Sequence, residues 1–425
     1  MIVIYEPLCK KFSHEKINSG FIYSFRKAFP GEKICFYAHV SHLKAIKSIF
    51  TNDKIRVNDI VYKHLTISGS VNLFSFVINT YNLLKIRKEL LSHSEFKVFL
   101  TSHNSLILYI IKTFRVFRPI KFYLVLHGSF EEINTGELTI ESNQVLKYQI
   151  PKKTIVKRLS GLSLRKVIFY FGYLTMKVSK LFSVFSYFYS RKYNTGEVIK
   201  YGSNDNIVYI VVSEHIIKNV EKIMEFKGLS LRYHFYPNVF FKSTLRPQNK
   251  TVKFGVFGYG DPVVLYNVAK VLESCDIRED FVIRVIGMDN TVSTFFPFIE
   301  NPSNGLSLTR NQMEDLVSDI DVLLILYSNQ KYRLSCSATI VEALSYCKPI
   351  IHFKNDCISY YNSSDLPIGF EANSIDEFVS YMVRAINDFE SFKSEVSVFR
   401  KNIKSLRKTY SIECHYNNLA QIFSE

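Results

Sequence analysis

The seven cysteines of this chain, Cys9, Cys35, Cys275, Cys336, Cys347, Cys357 and Cys414, include no CxxC pair and no Cys/His spacing suited to zinc. Their odd number and scatter argue against a disulfide frame and for reduced thiols in the cytoplasm. The amino terminus, MIVIYEPLCKKF, has no basic region ahead of its apolar run and no small-residue cleavage site, so it does not read as a signal peptide. Low-complexity tracts are missing, and with 47% hydrophobic residues and 15% aromatics the chain has ample material for packed interiors. Acidic residues are scarce in one stretch: residues 151–200 hold eleven Lys/Arg against a single Glu, which supplies most of the formal net charge of +16. The rest is only mildly basic, which argues against nucleic acid as the partner.

What is present is an alternation. At 425 residues the chain exceeds the size at which one core keeps growing, and two domains with a cleft between them are expected. Strand-length apolar runs alternate with stretches of helical period, the pattern of a parallel sheet with crossover helices. In the first half, strands are expected at 2–5, 33–37, 97–100, 122–126 and 207–212, with helices near 16–29, 71–91 and 105–114. A second series has strands at 252–257, 281–286, 322–326 and 349–353, with helices near 263–274, 312–317 and 338–346. Residues 237–250, with two prolines and a basic second half, read as the linker. The fold class is therefore α/β, two Rossmann-like doubly wound domains facing a cleft. The first spans 1–240 and includes the basic aromatic segment; the second spans 251–408. Three helices follow without an intervening strand, with Ser374 and Ser411 as N-cap residues of the first and last. The last, within 409–425, is expected to cross back to the first domain.

Ligands of open α/β sheets bind beyond the carboxyl ends of strands, which singles out four places. After the strand at 252–257, Gly255, Gly258 and Gly260 allow a sharp turn and a close backbone approach, or form a turn and nothing more. In YSNQKYRLSCSATIVEALSYCKPII (327–351), Ser335, Ser337, Ala338 and Thr339 mark a helix start suited to a pyrophosphate, with Lys331 and Arg333 adding charge. Glu342, one turn on, either accepts hydrogen bonds from two ribose hydroxyls or is a surface glutamate. His14, beyond the first strand, either removes a proton from an attacking hydroxyl or is a surface histidine near a helix N-terminus. His127 and Gly128 close another buried strand, and Glu131 or Glu132 follows as a reserve base or as solvated charge. Asp319 and Asp321 mimic a DxD metal motif but enter an apolar strand, so no metal is expected.

Ser-x-Ser-x-Thr, Val-Glu-Ala-Leu, a short turn and Lys-Pro-Ile-Ile together resemble the donor-site signature of the GT-B glycosyltransferases. The resemblance extends to Phe254–Asp261 as the opening of the donor domain, to Gly287 after the next strand, and to the terminal crossing helix. It implies that Glu342 binds a nucleotide ribose and that the preceding helix start holds the phosphates. Two departures stand out. Leu334 occupies the position of a second glutamate found in retaining members, and no Gly-rich loop follows the first strand. His14 resembles the base of inverting GT-B enzymes, and the His14/Asn18 spacing resembles bacterial surface-polysaccharide transferases.

The resemblance thus implies metal-independent, inverting transfer of a hexose-type sugar from a nucleotide-diphosphate sugar to a saccharide or lipid-linked acceptor, with no cofactor. A nucleotide-sugar 2-epimerase of the same fold and a non-catalytic basic binding protein are the rival readings. In 166–193, ten aromatics are interrupted by Lys177 and Lys180, which argues against a spanning helix. Wound as one helix, Lys166, Lys177, Lys180 and Arg191 fall within roughly 60°. Segment 151–193 is accordingly expected to meet an anionic membrane surface, the protein's own first domain or a second subunit. The membrane reading implies a cytoplasmic protein peripheral to the inner face of the plasma membrane.

Overall fold

The computed structural model describes residues 1–128, 198–199, 206–223, 231–237 and 251–424, apart from 53, 58, 68–72, 94–95, 258–259, 288–291, 307 and 329. Segment 151–193, Gly258, Glu131 and Glu132 lie outside the described residues, as do residues 238–250 of the linker expected at 237–250.

The first half runs β1 (Ile2–Tyr5), α1 (Glu15–Ala28), β2 (Ile34–Ala38), α2 (Val40–Asn52), β3 (Ile60–His64), α3 (Leu73–Leu90), β4 (Lys97–Leu100), α4 (Ser105–Thr113), β5 (Phe122–Val125), β6 (Ile207–Val211), α5 (Glu214–Val220) and β7 (Leu231–Tyr233). Its seven strands are all parallel in the order β3-β2-β1-β4-β5-β6-β7. The second half runs β8 (Lys253–Phe257), α6 (Pro262–Glu273), β9 (Val282–Ile286), β10 (Ile299–Glu300), α7 (Arg310–Ser318), β11 (Val322–Ile325), α8 (Ala338–Ser345), β12 (Ile350–Phe353), α9 (Asp356–Ser359), β13 (Gly369–Ala372), α10 (Ile375–Asn387), α11 (Phe389–Thr409) and α12 (Ile412–Ser424). Its six strands are also parallel, in the order β10-β9-β8-β11-β12-β13. Both halves are doubly wound, and in each the winding reverses beside the first strand, at β1/β4 and at β8/β11. That reversal opens a crevice at the carboxyl ends of the strands.

The central strands are buried on both faces, which is why they read as unbroken apolar runs. On one face of the first sheet, Leu83 of α3, Ile107 of α4 and Ile216 of α5 share a cluster. On the other, Ile22 of α1 and Ile46 of α2 are joined by Leu419, Ile422 and Phe423 of α12. The terminal helix therefore belongs to the core of the first domain. The Phe423 ring stacks on Tyr123 at 3.9 Å between centroids, and Lys97 Nζ donates to the Phe423 carbonyl at 2.9 Å. Helix α11 ties the second domain together, with Phe392 and Val396 in one of its clusters and Ile403 and Leu406 in the other.

Sequence periodicity did not show α2, β3, α5, β7, β10, α9 and β13. The strands among them are two to five residues long and lie at or next to a sheet edge, where one side of the ladder is unpaired and polar residues intrude. The glycine in the middle of α1 has a packing reason. A Cβ on Gly20 would stand 2.0 Å from the Pro237 carbonyl oxygen, so the chain leaving the first domain lies directly on α1.

Candidate functional site

The first-domain wall of the cleft is organised by a carboxylate. Glu6 follows β1 and is fully buried. It accepts the Leu8 and Cys9 N–H groups at 2.8 and 3.0 Å, Asn18 Nδ2 at 3.1 Å and the Thr101 hydroxyl at 2.7 Å, together with the Ser102 hydroxyl. Burial opposes its charge, but the Ser102 and Thr101 hydroxyls and the Leu8 N–H outweigh it and hold the carboxyl below the ordinary glutamate range. The loops after β1 and β4 are thereby fastened to one anion. Asn18 also donates to His42 Nε2 at 2.9 Å, so His42 Nδ1 carries the proton donated to the Lys11 carbonyl, likewise at 2.9 Å. The His14/Asn18 pair divides into two jobs: Asn18 is buried and structural, while His14 is exposed.

His14 stands at the N-cap position of α1 with φ 55°, a left-handed conformation, and its side chain makes no cap hydrogen bond. The conformation is uncommon for a residue other than glycine and persists because the surrounding loop is fixed. Its ring meets His127 edge-on with centroids 4.9 Å apart. His127 Nε2 lies 2.6 Å from the Thr101 carbonyl, which only accepts, so this nitrogen holds the proton and Nδ1 the lone pair. Burial, reinforced by His14, pushes His127 down to about 3, so it is neutral near pH 7. Gly128 is exposed beside it.

The second-domain wall is the loop between β11 and α8. Ser337 caps α8 by accepting the Thr339 N–H at 3.2 Å, and the Thr339 hydroxyl lies 2.7 Å from the Tyr327 hydroxyl. Ala338 is exposed at the helix start, and Ser335 is buried two residues before the cap. Lys331 Nζ lies 3.6 Å from Asp261, the N-cap residue of α6, which places the Lys331 side chain near Gly260. Gly287 has φ 90°, suited to glycine, and donates its N–H to Ser303 at 2.8 Å.

Contacts between the halves bring these walls together. The Lys16 ammonium, two residues beyond His14, lies 2.7 Å from Glu342 Oε1. Burial opposes the Lys16 charge, but Glu342 outweighs it and raises its pKa. Among the described residues, Glu342 Oε2 has no hydrogen-bond partner. A second set of contacts comes from α5, which sequence reading missed. His215 Nε2 donates to the Tyr332 and Ser335 carbonyls at 2.9 and 3.1 Å. Asn219 Nδ2 donates to the Arg333 carbonyl at 2.9 Å and to Asp356 at 2.8 Å. Leu334 is buried in the first domain's cluster. Leu334, the departure from the pattern of retaining members, is thus an apolar anchor between the domains.

Two motif-like features lie elsewhere. Asp319 pairs with Lys253 at 2.8 Å and with Arg284, and Asp321 accepts the Lys253 N–H at 3.0 Å. Both sit at the amino ends of β8 and β11, the sheet edge opposite the cleft. Lys348 of the Lys-Pro-Ile-Ile run is buried and donates to the Ser318 and Ile320 carbonyls at 3.0 and 2.5 Å, closing the end of α7. This lysine is therefore held by contacts within the second domain.

This architecture has solved counterparts. A glycosyltransferase from Rickettsia africae ESF-5 matches with a TM-score of 0.54 at 12% identity, over 99% of this chain and 97% of that one. The lipopolysaccharide outer core galactosyltransferase WaaB, in its apo form, matches at 0.54 and 14%, over 100% and 99%. The fold is GT-B. Anabaena HepE in complex with UDP matches at 0.50 and 9%, over the whole of both chains. No protein-family profile and no curated protein matches the sequence. In GT-B terms, Glu342, the capped start of α8 and Lys331 lie on the second domain's wall, and His14, Lys16 and His127 on the first domain's.

Proposed function

We propose that this GT-B chain is a glycosyltransferase moving a hexose-type sugar, with inversion, from a nucleotide-diphosphate donor to a hydroxyl of a saccharide or lipid-linked acceptor in cell-surface polysaccharide synthesis. The observation that carries the reading is the meeting of Glu342, one turn into α8, with Lys16, just beyond His14, at 2.7 Å across the cleft. A carboxylate with one oxygen on a lysine and the other without a described partner suits a ribose diol. The start of α8 offers N–H groups and the positive end of its dipole to a diphosphate, with Lys331 and Arg333 nearby.

In the proposed reaction the acceptor oxygen attacks the anomeric carbon, whose bond to the diphosphate oxygen breaks with the electron pair leaving on the diphosphate. His14 takes the acceptor proton, and the neutral His127 beside it adds no charge to oppose it. Negative charge on the leaving group is met by α8 and by lysine and arginine side chains rather than by a metal. Because HepE is described in complex with UDP, UDP-sugars are the first donors to try. Among the described residues no helix is long and apolar enough to cross a membrane, and a lipid-linked acceptor would be met at the inner face of the plasma membrane.

The test is to incubate the chain with a panel of nucleotide sugars, with and without glycan acceptors, and to follow products by NMR. Slow sugar release alone, or transfer with an inverted anomeric configuration, supports the reading. Formation of a 2-epimer would identify an isomerase instead, and absence of turnover across the panel would remove the transferase assignment.

A further inference from the structure

Helix α3 is apolar on two opposite faces. Leu83, Ile86 and Leu90 point into the first domain's cluster, as expected of a helix lying on a sheet. Phe74, Val77, Tyr81 and Leu84 point the other way and are 69%, 57%, 66% and 41% exposed. At about 100° per residue these four fall within an arc of roughly 80°, so they form one outward stripe along the helix. Single exposed apolar residues need no explanation, but a contiguous stripe on the surface marks an interaction site.

The charges around the stripe define its partner. Lys88 lies within the arc and Lys85 on its flank, both exposed, and exposed Arg115 and Arg118 follow in the neighbouring turn, which Arg87 ties to α3 by donating to the Val116 carbonyl at 2.9 Å. The one acidic residue of α3, Glu89, is turned away and engaged by Lys63 and the Tyr37 hydroxyl. An exposed apolar stripe bordered by cations, with no acid facing outward among the described residues of α3, complements an anionic bilayer. Two further observations agree in direction. Helix α3 begins on the carboxyl side of the first sheet, where His14 and His127 also lie. The carbonyls of Val198 and Ile199 accept Lys112 of α4 at 2.9 and 2.7 Å, which sets a second cation-bearing helix on the same face of the sheet as α3.

We propose that the outward face of α3, Phe74, Val77, Tyr81 and Leu84 with Lys85 and Lys88, docks on an anionic membrane surface and sets the cleft beside it. The docking is independent of the transfer chemistry, so it is read without any sugar donor. The full chain is floated with phosphatidylcholine vesicles with and without phosphatidylglycerol, at low and high salt. The wild type is expected to float with the anionic vesicles and to be released by salt. Phe74→Ser/Tyr81→Ser/Leu84→Ser should weaken that binding by roughly tenfold or more, and Phe74→Leu/Tyr81→Phe should retain it. Lys85→Glu/Lys88→Glu, which leaves every apolar contact in place, should also lower binding. A wild-type chain that stays in solution at low salt, or serine and glutamate variants that float as well as wild type, would overturn the proposal. So would sedimentation without lipid showing a dimer that the triple variant abolishes, because the stripe would then be covered by a second copy.

Discussion

Glu342 and Lys16 are 326 residues apart in sequence and 2.7 Å apart in space, so each is the other's nearest test. Glu342→Ala is expected to weaken UDP binding about tenfold or more while the fold survives, since a charged hydrogen bond is worth roughly 1.5 to 3 kcal/mol and a partly exposed side chain leaves no sealed cavity. Calorimetry with UDP measures it, and an unchanged affinity would remove Glu342 from the donor site. His14→Ala should lower transfer by about 10² to 10⁴ and leave UDP affinity intact, the magnitude of a lost general base. Near-normal turnover would shift the role to Glu131 or Glu132. Glu6 is of a different kind. Its carboxylate is surrounded by donors from both loops, so it acts on the site only by holding the loop that carries His14.

At the scale of elements, α5 decides where the loop between β11 and α8 sits. Three backbone carbonyls of 332–335 are held by side-chain hydrogen bonds from His215 and Asn219. His215→Ala/Asn219→Ala is expected to raise the donor KM by about tenfold with little change in kcat, as for a loop no longer held in its binding geometry. Equal losses in kcat and kcat/KM would instead place these residues in the reacting complex. Helix α12 is held by Phe423, whose ring lies on Tyr123 and edge-on to Phe25 at 5.2 Å. Phe423→Ala should cost about 3 to 5 kcal/mol in urea denaturation, the range for a buried aromatic truncated to alanine. A loss under about 1 kcal/mol would show that the helix is dispensable to the first domain's core.

For the molecule as a whole, buried imidazoles set the acid limit of stability. Burial lowers His103 to about 4 and His234 to about 3, so near neutral pH both are uncharged in the fold. The unfolded chain, with ordinary histidines near about 6.5, takes up protons first as the pH falls. Stability present above about pH 6.5 is therefore lost progressively toward pH 4, by up to about 1.4 kcal/mol per pH unit for each histidine. Urea midpoints measured between pH 7.5 and about pH 4.5 should fall steadily, and a flat profile would show that these rings are hydrated in the fold.

Much of this architecture is legible in one dimension. A strand buried on both faces must be apolar throughout, so β1, β4, β5, β11 and β12 announce themselves. Ser337 and Ser374 stand where helices begin because a hydroxyl there satisfies a free N–H group, at 3.2 Å from the Thr339 N–H and 3.1 Å from the Glu377 N–H. His14, His127 and Glu342 stand out because each follows or begins an element whose end faces a crevice. Nothing in the pattern could show that Lys16 meets Glu342, that Leu334 enters the other domain's core, or that His215 grips the carbonyls of Tyr332 and Ser335. Those are contacts between segments more than a hundred residues apart, and their geometry exists only once two sheets have been stacked around one cleft. Glu6 shows the divide in a single residue: its place after an apolar strand is written in the sequence, while its role depends on five donors that only folding collects.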